Sequence, residues 1–283
     1  MSPIALVLVL FAALSHAVWN MAAKNSKGEP TIFVWMYFTL AGVMCLPLGL
    51  IVGADGVDVR RLLVAAAVSG IIHIFYSMLL QTGYSKADLG VVYPVARGTG
   101  PLLTVIIAVT ILGDRPDNLA LIGGLVIIAG IIVVTGADLI QRGSATGLIY
   151  GVATGVAIAS YTLWDDYSVS ALANPPLLYY GCACIAQSIL MAPGVIRRRQ
   201  KFTSTWLLDR REVVIAGILS PLAYVTVLFV LQSSPVSVVA PVRETSIVFG
   251  ALLAWWIYKE PNPLRRIVGA GVVATGIALI AVA

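Results

Sequence analysis

An ionisable side chain inside an apolar run costs a few kcal/mol or more unless it faces a cavity or a partner. A handful here meet that description: Arg97, Arg243, Glu244, His16 and His73. Arg97 lies about nine residues into one apolar run and Arg243 about seven into another, roughly 10 to 14 Å deep at the helical rise. Two guanidinium groups converging at such depth suit carboxylate, phosphate or phosphonate oxygens, because the planar fork matches them. Pairing of Arg243 with Glu244 or another acid, and of Arg97 with helix carbonyls, would account for the same residues, and the sequence leaves both readings open. Glu244 is the acid deepest inside a run, so it is a candidate for proton coupling. As sequence neighbours on a helix, Arg243 and Glu244 point about 100° apart and need not pair. His16 and His73 can exchange protons or bond a substrate, although a packed histidine is the ordinary alternative. Asn20 follows His16 at i+4 on the same helical face, which strengthens the case for His16.

Aromatic side chains with polar tips recur near the same depth: Tyr76, Tyr93, Tyr161 and Tyr224, with Trp19 and Trp164 closer to the ends of runs. They are expected to line a cavity, offering hydroxyls and ring faces, or to pack or form interfacial belts. Tyr93 is the first choice among them. Pro94, Pro101 and Pro241 are expected to interrupt their helices and free backbone groups. Gly147, Gly151 and Gly155, four residues apart, suit close helix contact.

The elements that must position these groups are membrane spans. With 283 residues, 59% hydrophobic and 11% charged, and a mean hydropathy of +0.96, the chain cannot clothe a water-soluble globule. Turn clusters and charges divide it into ten apolar helices at 4–23, 31–52, 62–82, 88–112, 118–137, 146–164, 176–196, 213–232, 236–258 and 264–282. The first run lacks the basic leader and cleavage site of a signal peptide and is expected to persist as a span. Cys45, Cys182 and Cys184 lie within apolar runs and read as small buried residues. Counting Lys and Arg on alternate sides gives three on the side of the N-terminus and thirteen opposite, with Arg97 and Arg243 set aside. The positive-inside bias then puts both termini outside the cytoplasm and the basic 197–212 loop inside. The net charge of +5 is spread over these junctions, which argues against nucleic acid as a partner.

An internal repeat organises the spans. Val91-Val92-Tyr93-Pro94-Val95 aligns with Val238-Val239-Ala240-Pro241-Val242 at an offset of 147, and from Arg97 onward the offset is 146. Arg97 then meets Arg243, Asp114 meets Glu260, Gly123 meets Gly269 and Gly130 meets Gly276. Upstream, Ser15-His16-Ala17-Val18-Trp19-Asn20 meets Ser160-Tyr161-Thr162-Leu163-Trp164-Asp165 at an offset of 145. Five helices per half is an odd number, so the second half must enter from the opposite face. The expected fold is an all-α membrane protein with ten transmembrane helices in two inverted-topology five-helix repeats, 1–141 and 142–283. Two halves of one fold in opposite orientation can open a midplane site to either side in turn.

Certain of these residues resemble the ten-helix, EamA-type branch of the drug/metabolite transporter superfamily. The resemblance rests on Ser234-Pro235-Val236-Ser237-Val238-Val239-Ala240-Pro241, on Arg97-Gly98-Thr99-Gly100-Pro101-Leu102-Leu103 with Gly113-Asp114-Arg115-Pro116, and on Lys259-Glu260-Pro261. It covers essentially the whole chain. The Ser15–Asn20 stretch is similar to a signature of a subgroup associated with phosphonate utilisation. Asp114 departs from the glutamate common in the family, and external termini depart from the cytoplasmic ones of many relatives. The resemblance implies a proton-coupled or exchange carrier of small metabolites, often an exporter.

Enzymatic constellations are missing from the sequence: there is no H-E-x-x-H, G-x-S-x-G or P-loop lysine motif. Asp165-Asp166, at the end of a run, lacks the second acidic cluster of a magnesium-diphosphate site. No catalytic residue, metal site or cofactor is expected. The reading is a secondary carrier of the cytoplasmic membrane for a small polar, anionic or zwitterionic metabolite, such as an amino acid derivative or an organophosphate. Arg97, Arg243, Tyr93, Tyr76, Tyr224, Asn20, His73 and Tyr161 would bind substrate, and Glu244 or His16 would couple protons. The partners are the substrate, the lipid bilayer and protons or a counter-substrate; the oligomeric state is unreadable. The rival class is a channel or a membrane-embedded structural subunit.

Overall fold

A computed structural model describes residues 1–87, 89–135, 145–258 and 263–283. The described elements are α1 (Pro3–Lys24), α2 (Pro30–Gly53), α3 (Val59–Lys86), α4 (Leu89–Ile107), α5 (Asn118–Thr135), α6 (Ala145–Ser170), α7 (Pro176–Arg197), α8 (Phe202–Leu231), α9 (Val236–Arg243), α10 (Ser246–Tyr258) and α11 (Pro263–Val282). Seven stretches, on α1 to α4 and α6 to α8, are each long and apolar enough to cross a bilayer. Apolar α5 and α11 are shorter, and α9 and α10 together make one more span, so the chain is a ten-helix membrane protein.

The inverted relation of the halves is visible where equivalent helices meet. A Cβ on Gly123 of α5 would lie 2.7 Å from the Gly276 carbonyl oxygen of α11, and one on Gly130 would lie 3.1 Å from that of Gly269. Gly123 and Gly269 are repeat mates, as are Gly130 and Gly276. Each therefore touches the mate of the other, the self-complementary pattern of a twofold contact. The second helices of the halves cross in the same antiparallel way, Gly42 against Ile185 and Gly49 against Leu178. α4 and α6 run parallel and close: a Cβ on Gly151 would meet Val95 at 2.6 Å, and one on Gly155 would meet Thr99 at 2.7 Å. Gly151 and Gly155 thus serve backbone approach, as their spacing predicts.

Three helices outrun the spans drawn from the charges. α3 begins at Val59, α6 continues to Ser170 and α8 begins at Phe202. Asp165 and Asp209 lie within these extensions, and each is buried with hydrogen-bond donors around it. The Asp209 carboxylate accepts from Ser26 Oγ at 2.6 Å and from the Lys27 and Gly28 amides at 2.8 Å, pinning the α1–α2 turn to α8.

Proline does not interrupt the fourth span. α4 contains Pro94 and Pro101 within one continuous helix and then loosens into a π turn at Ala108–Leu112. Gly113 closes that turn at φ +78°, a conformation glycine adopts without Cβ strain. The ninth span does break, and it breaks after Arg243. Because Pro241 is followed by a tightened turn, the Thr245 amide bonds to Val242 and the Ile247 amide to Glu244, three residues back. Asp114 stands at the start of this span, its Oδ2 accepting the Ser237 amide at 3.1 Å.

Candidate functional site

Where the halves meet, a small cavity of about 90 Å³ is lined from both repeats. α1 contributes His16, Trp19 and Asn20; α3 contributes Ser69, His73, Tyr76 and Ser77; α4 contributes Arg97. The second half contributes Tyr161 and Asp165 from α6, Tyr179, Tyr180 and Gln187 from α7, Ser220 and Tyr224 from α8, and Arg243 from α9.

Arg97 and Arg243 meet on one carboxylate. Arg97 Nη1 donates to Glu244 Oε2 at 2.9 Å, and Arg243 Nη2 donates to Glu244 Oε1 at 2.9 Å. Arg243 Nε adds a bond of 3.2 Å, so its fork grips the same oxygen twice. The neighbours pair at the end of the helix, where Glu244 caps α9 in right-handed conformation and the two long side chains fold onto each other. Glu244 is 1% exposed, and both guanidiniums are nearly as buried. Two positive groups around one negative group leave a net positive cluster at the cavity wall. His16 lies within electrostatic range of all three and stacks edge-on against Trp19 at 5.0 Å.

The aromatic residues form a connected group. His73 stacks on Tyr161 at 4.2 Å, Tyr76 and Tyr224 approach Tyr161 at 5.5 and 6.4 Å, and Tyr180 approaches Tyr224 at 5.6 Å. His73 Nδ1–H donates to the Ser69 carbonyl at 2.9 Å, which fixes the ring. The Arg243 guanidinium lies 5.8 Å from the centre of Tyr161. Asn20 Nδ2 donates back to the His16 carbonyl at 3.0 Å. The side chain of Tyr93 lies outside the described residues.

Asp165 and the α7 face are additions that the spans drawn from charge boundaries left out. The Asp165 side chain is fully buried and accepts Tyr179 Oη–H at 2.6 Å and Tyr224 Oη–H at 2.5 Å. Two signals pointed there: Asp165 is the repeat mate of Asn20, and Tyr161 and Asp165 share a helical face at i+4. Nothing in the sequence marked Tyr180 or Gln187, whose position depends on how α7 rotates against α3.

Burial differs between repeat mates. Asp165 and Ser168 of α6 are buried, whereas their mates Asn20 and Ala23 at the end of α1 are partly exposed; Trp164 and Asp166 are partly exposed like Trp19 and Met21, and Tyr167 is exposed. Trp164 Nε1 donates to the Ala65 carbonyl at 2.9 Å, while buried Trp19 Nε1 has no hydrogen-bond partner among the described residues.

A polar cavity at the junction of two inverted five-helix repeats defines a multi-pass membrane protein of the transporter class. The chain belongs to the EamA-like transporter family, matching it over residues 3–136 and again over 145–282, and so to the drug/metabolite transporter superfamily. An uncharacterized protein of Methanocaldococcus jannaschii is 26% identical over 132 residues, 46% of this chain and 96% of that protein. A protein of known crystal structure shares the fold at a TM-score of 0.79 and 18% identity, with 99% of each chain covered.

Proposed function

We propose that the chain is a secondary carrier that moves a small polar metabolite with an anionic group across the cytoplasmic membrane by alternating access, as an exporter or proton-coupled exchanger. The Arg97–Glu244–Arg243 cluster carries this reading. Its guanidiniums come from equivalent positions of the two halves, so relative movement of the halves changes their spacing and with it the grip on an anion. Each half, 1–141 and 142–283, moves as a repeat.

Glu244 and a bound anion compete for the same guanidiniums. The protonation of Glu244 and the occupancy of the clamp are therefore linked, with His16 placed to relay the proton. Tyr76, Tyr161, Tyr224, His73 and Asn20 enclose the rest of the substrate. Buried Asp165 and Ser168 against their partly exposed mates Asn20 and Ala23 support a state open toward the basic loops, which the charge bias puts in the cytoplasm.

Counterflow in proteoliposomes tests the reading. A carrier accelerates tracer uptake when unlabelled substrate is trapped on the far side, whereas a channel or a static subunit does not. Arg97→Ala and Arg243→Ala should each weaken substrate affinity by about tenfold or more, the loss expected for a charge-assisted hydrogen bond. Unchanged affinity in both variants refutes the anion clamp.

A further inference from the structure

Building on the carrier reading, we infer that the cavity has a second, cation-binding pole at Asp165, so that the substrate carries an ammonium group as well as an anion. Asp165 is a fully buried carboxylate whose hydrogen-bond partners are the phenols of Tyr179 and Tyr224, and among the described residues no cation pairs with it. A buried carboxylate without a counter-ion is costly, and phenols share its charge without neutralising it. A carboxylate has about four acceptor sites, of which the tyrosines use two.

The surroundings fit an ammonium group. Tyr224, Tyr161 and His73 form a connected set of rings beside the carboxylate, and such rings attract alkylammonium groups. Gln187 adds an independent sign: it is 2% exposed, lines the cavity, and its Oε1 acceptor is buried with no hydrogen-bond partner among the described residues. Gln187 lies on the same face of α7 as Tyr180, seven residues on, so the unused acceptor and the ring lie on one wall.

The two poles are distinct yet near. Tyr161 lies against Arg243 at 5.8 Å, and Asp165 follows Tyr161 by one helical turn. The lining has a positive pole at Arg97 and Arg243, which share buried Glu244 behind them, and a negative pole at Asp165. A polarised cavity discriminates by charge pattern: a zwitterion satisfies both poles, whereas a simple acid or a simple amine leaves one of them unmatched.

The test measures thermal stabilisation of the purified full-length protein by the common L-amino acids. Each amino acid that shifts the unfolding temperature is then compared with its decarboxylated amine and its deaminated acid. The zwitterion should bind about tenfold or more tightly than either relative. Asp165→Asn should abolish that advantage over the acid and leave acid binding intact. Gln187→Met, which keeps the length and removes the acceptor, should weaken amino-bearing compounds alone and carries the test if Asp165→Asn fails to fold. The inference is overturned if no amino-bearing compound stabilises the protein, if the acid binds as tightly as the amino acid, or if Asp165→Asn alters only the pH dependence of transport. Counterflow of the same compounds separates the two readings. Transport of acids alone keeps the carrier and removes the ammonium pole; zwitterion binding without trans-stimulation keeps the pole and removes the carrier.

Discussion

Arg97 and Arg243 occupy equivalent positions 146 residues apart and end on the same carboxylate. Their kinship was legible in the sequence; the shared partner was not, because it depends on how α4 and α9 meet in the fold. Removing one member of a buried ionic group leaves uncompensated charge, typically at a cost of about 3 to 5 kcal/mol. Glu244→Gln should therefore lower the unfolding temperature markedly, since it leaves two guanidiniums facing each other. Added acetate or phosphate should restore part of the loss in the variant and have little such effect on the wild type. Thermal unfolding with and without those anions checks both expectations.

At the scale of elements, composition located the helices and charge misplaced their ends. Asp165 and Asp209 sit inside helices because distant donors meet them, and those donors become visible only when α7 and α8, or α8 and the α1–α2 turn, are in place. Spacing did predict the close contact of α6 with α4. Gly151→Leu should destabilise by about 1 to 3 kcal/mol, as overpacking does, because Val95 occupies the space the side chain would need. Asp114→Ala removes the acceptor for the Ser237 amide at the start of α9 and should cost about 1 kcal/mol, as losses of helix caps do. Denaturation midpoints of the purified variants measure each. The prolines of α4 show the limit of a local rule: packing against α6 holds the helix continuous through Pro94 and Pro101.

For the whole molecule, the inequality of repeat mates is the informative feature. α1 and α6 are equivalent in sequence, yet Asp165 and Ser168 of α6 are buried where their mates Asn20 and Ala23 of α1 are partly exposed. With Cys45, Cys182 and Cys184 replaced, Asn20→Cys should react with a water-soluble thiol reagent applied from the side of the basic α7–α8 junction. Ser168→Cys, buried near the opposite end of the cavity, should stay unreactive. Equal labelling of both would show the cavity open at each end, which a carrier does not allow. Sequence by itself determined the solvent, the ten helices, the inverted duplication and the pairing of Arg97 with Arg243, because apolar length and repeated motifs are local properties that survive without coordinates. The tertiary structure alone decided that Glu244 joins the two arginines, that Asp165 stands among tyrosines without a counter-ion among the described residues, and which repeat mates are buried. Those outcomes depend on helix rotation and on contacts between segments far apart in the chain, and no local pattern encodes them.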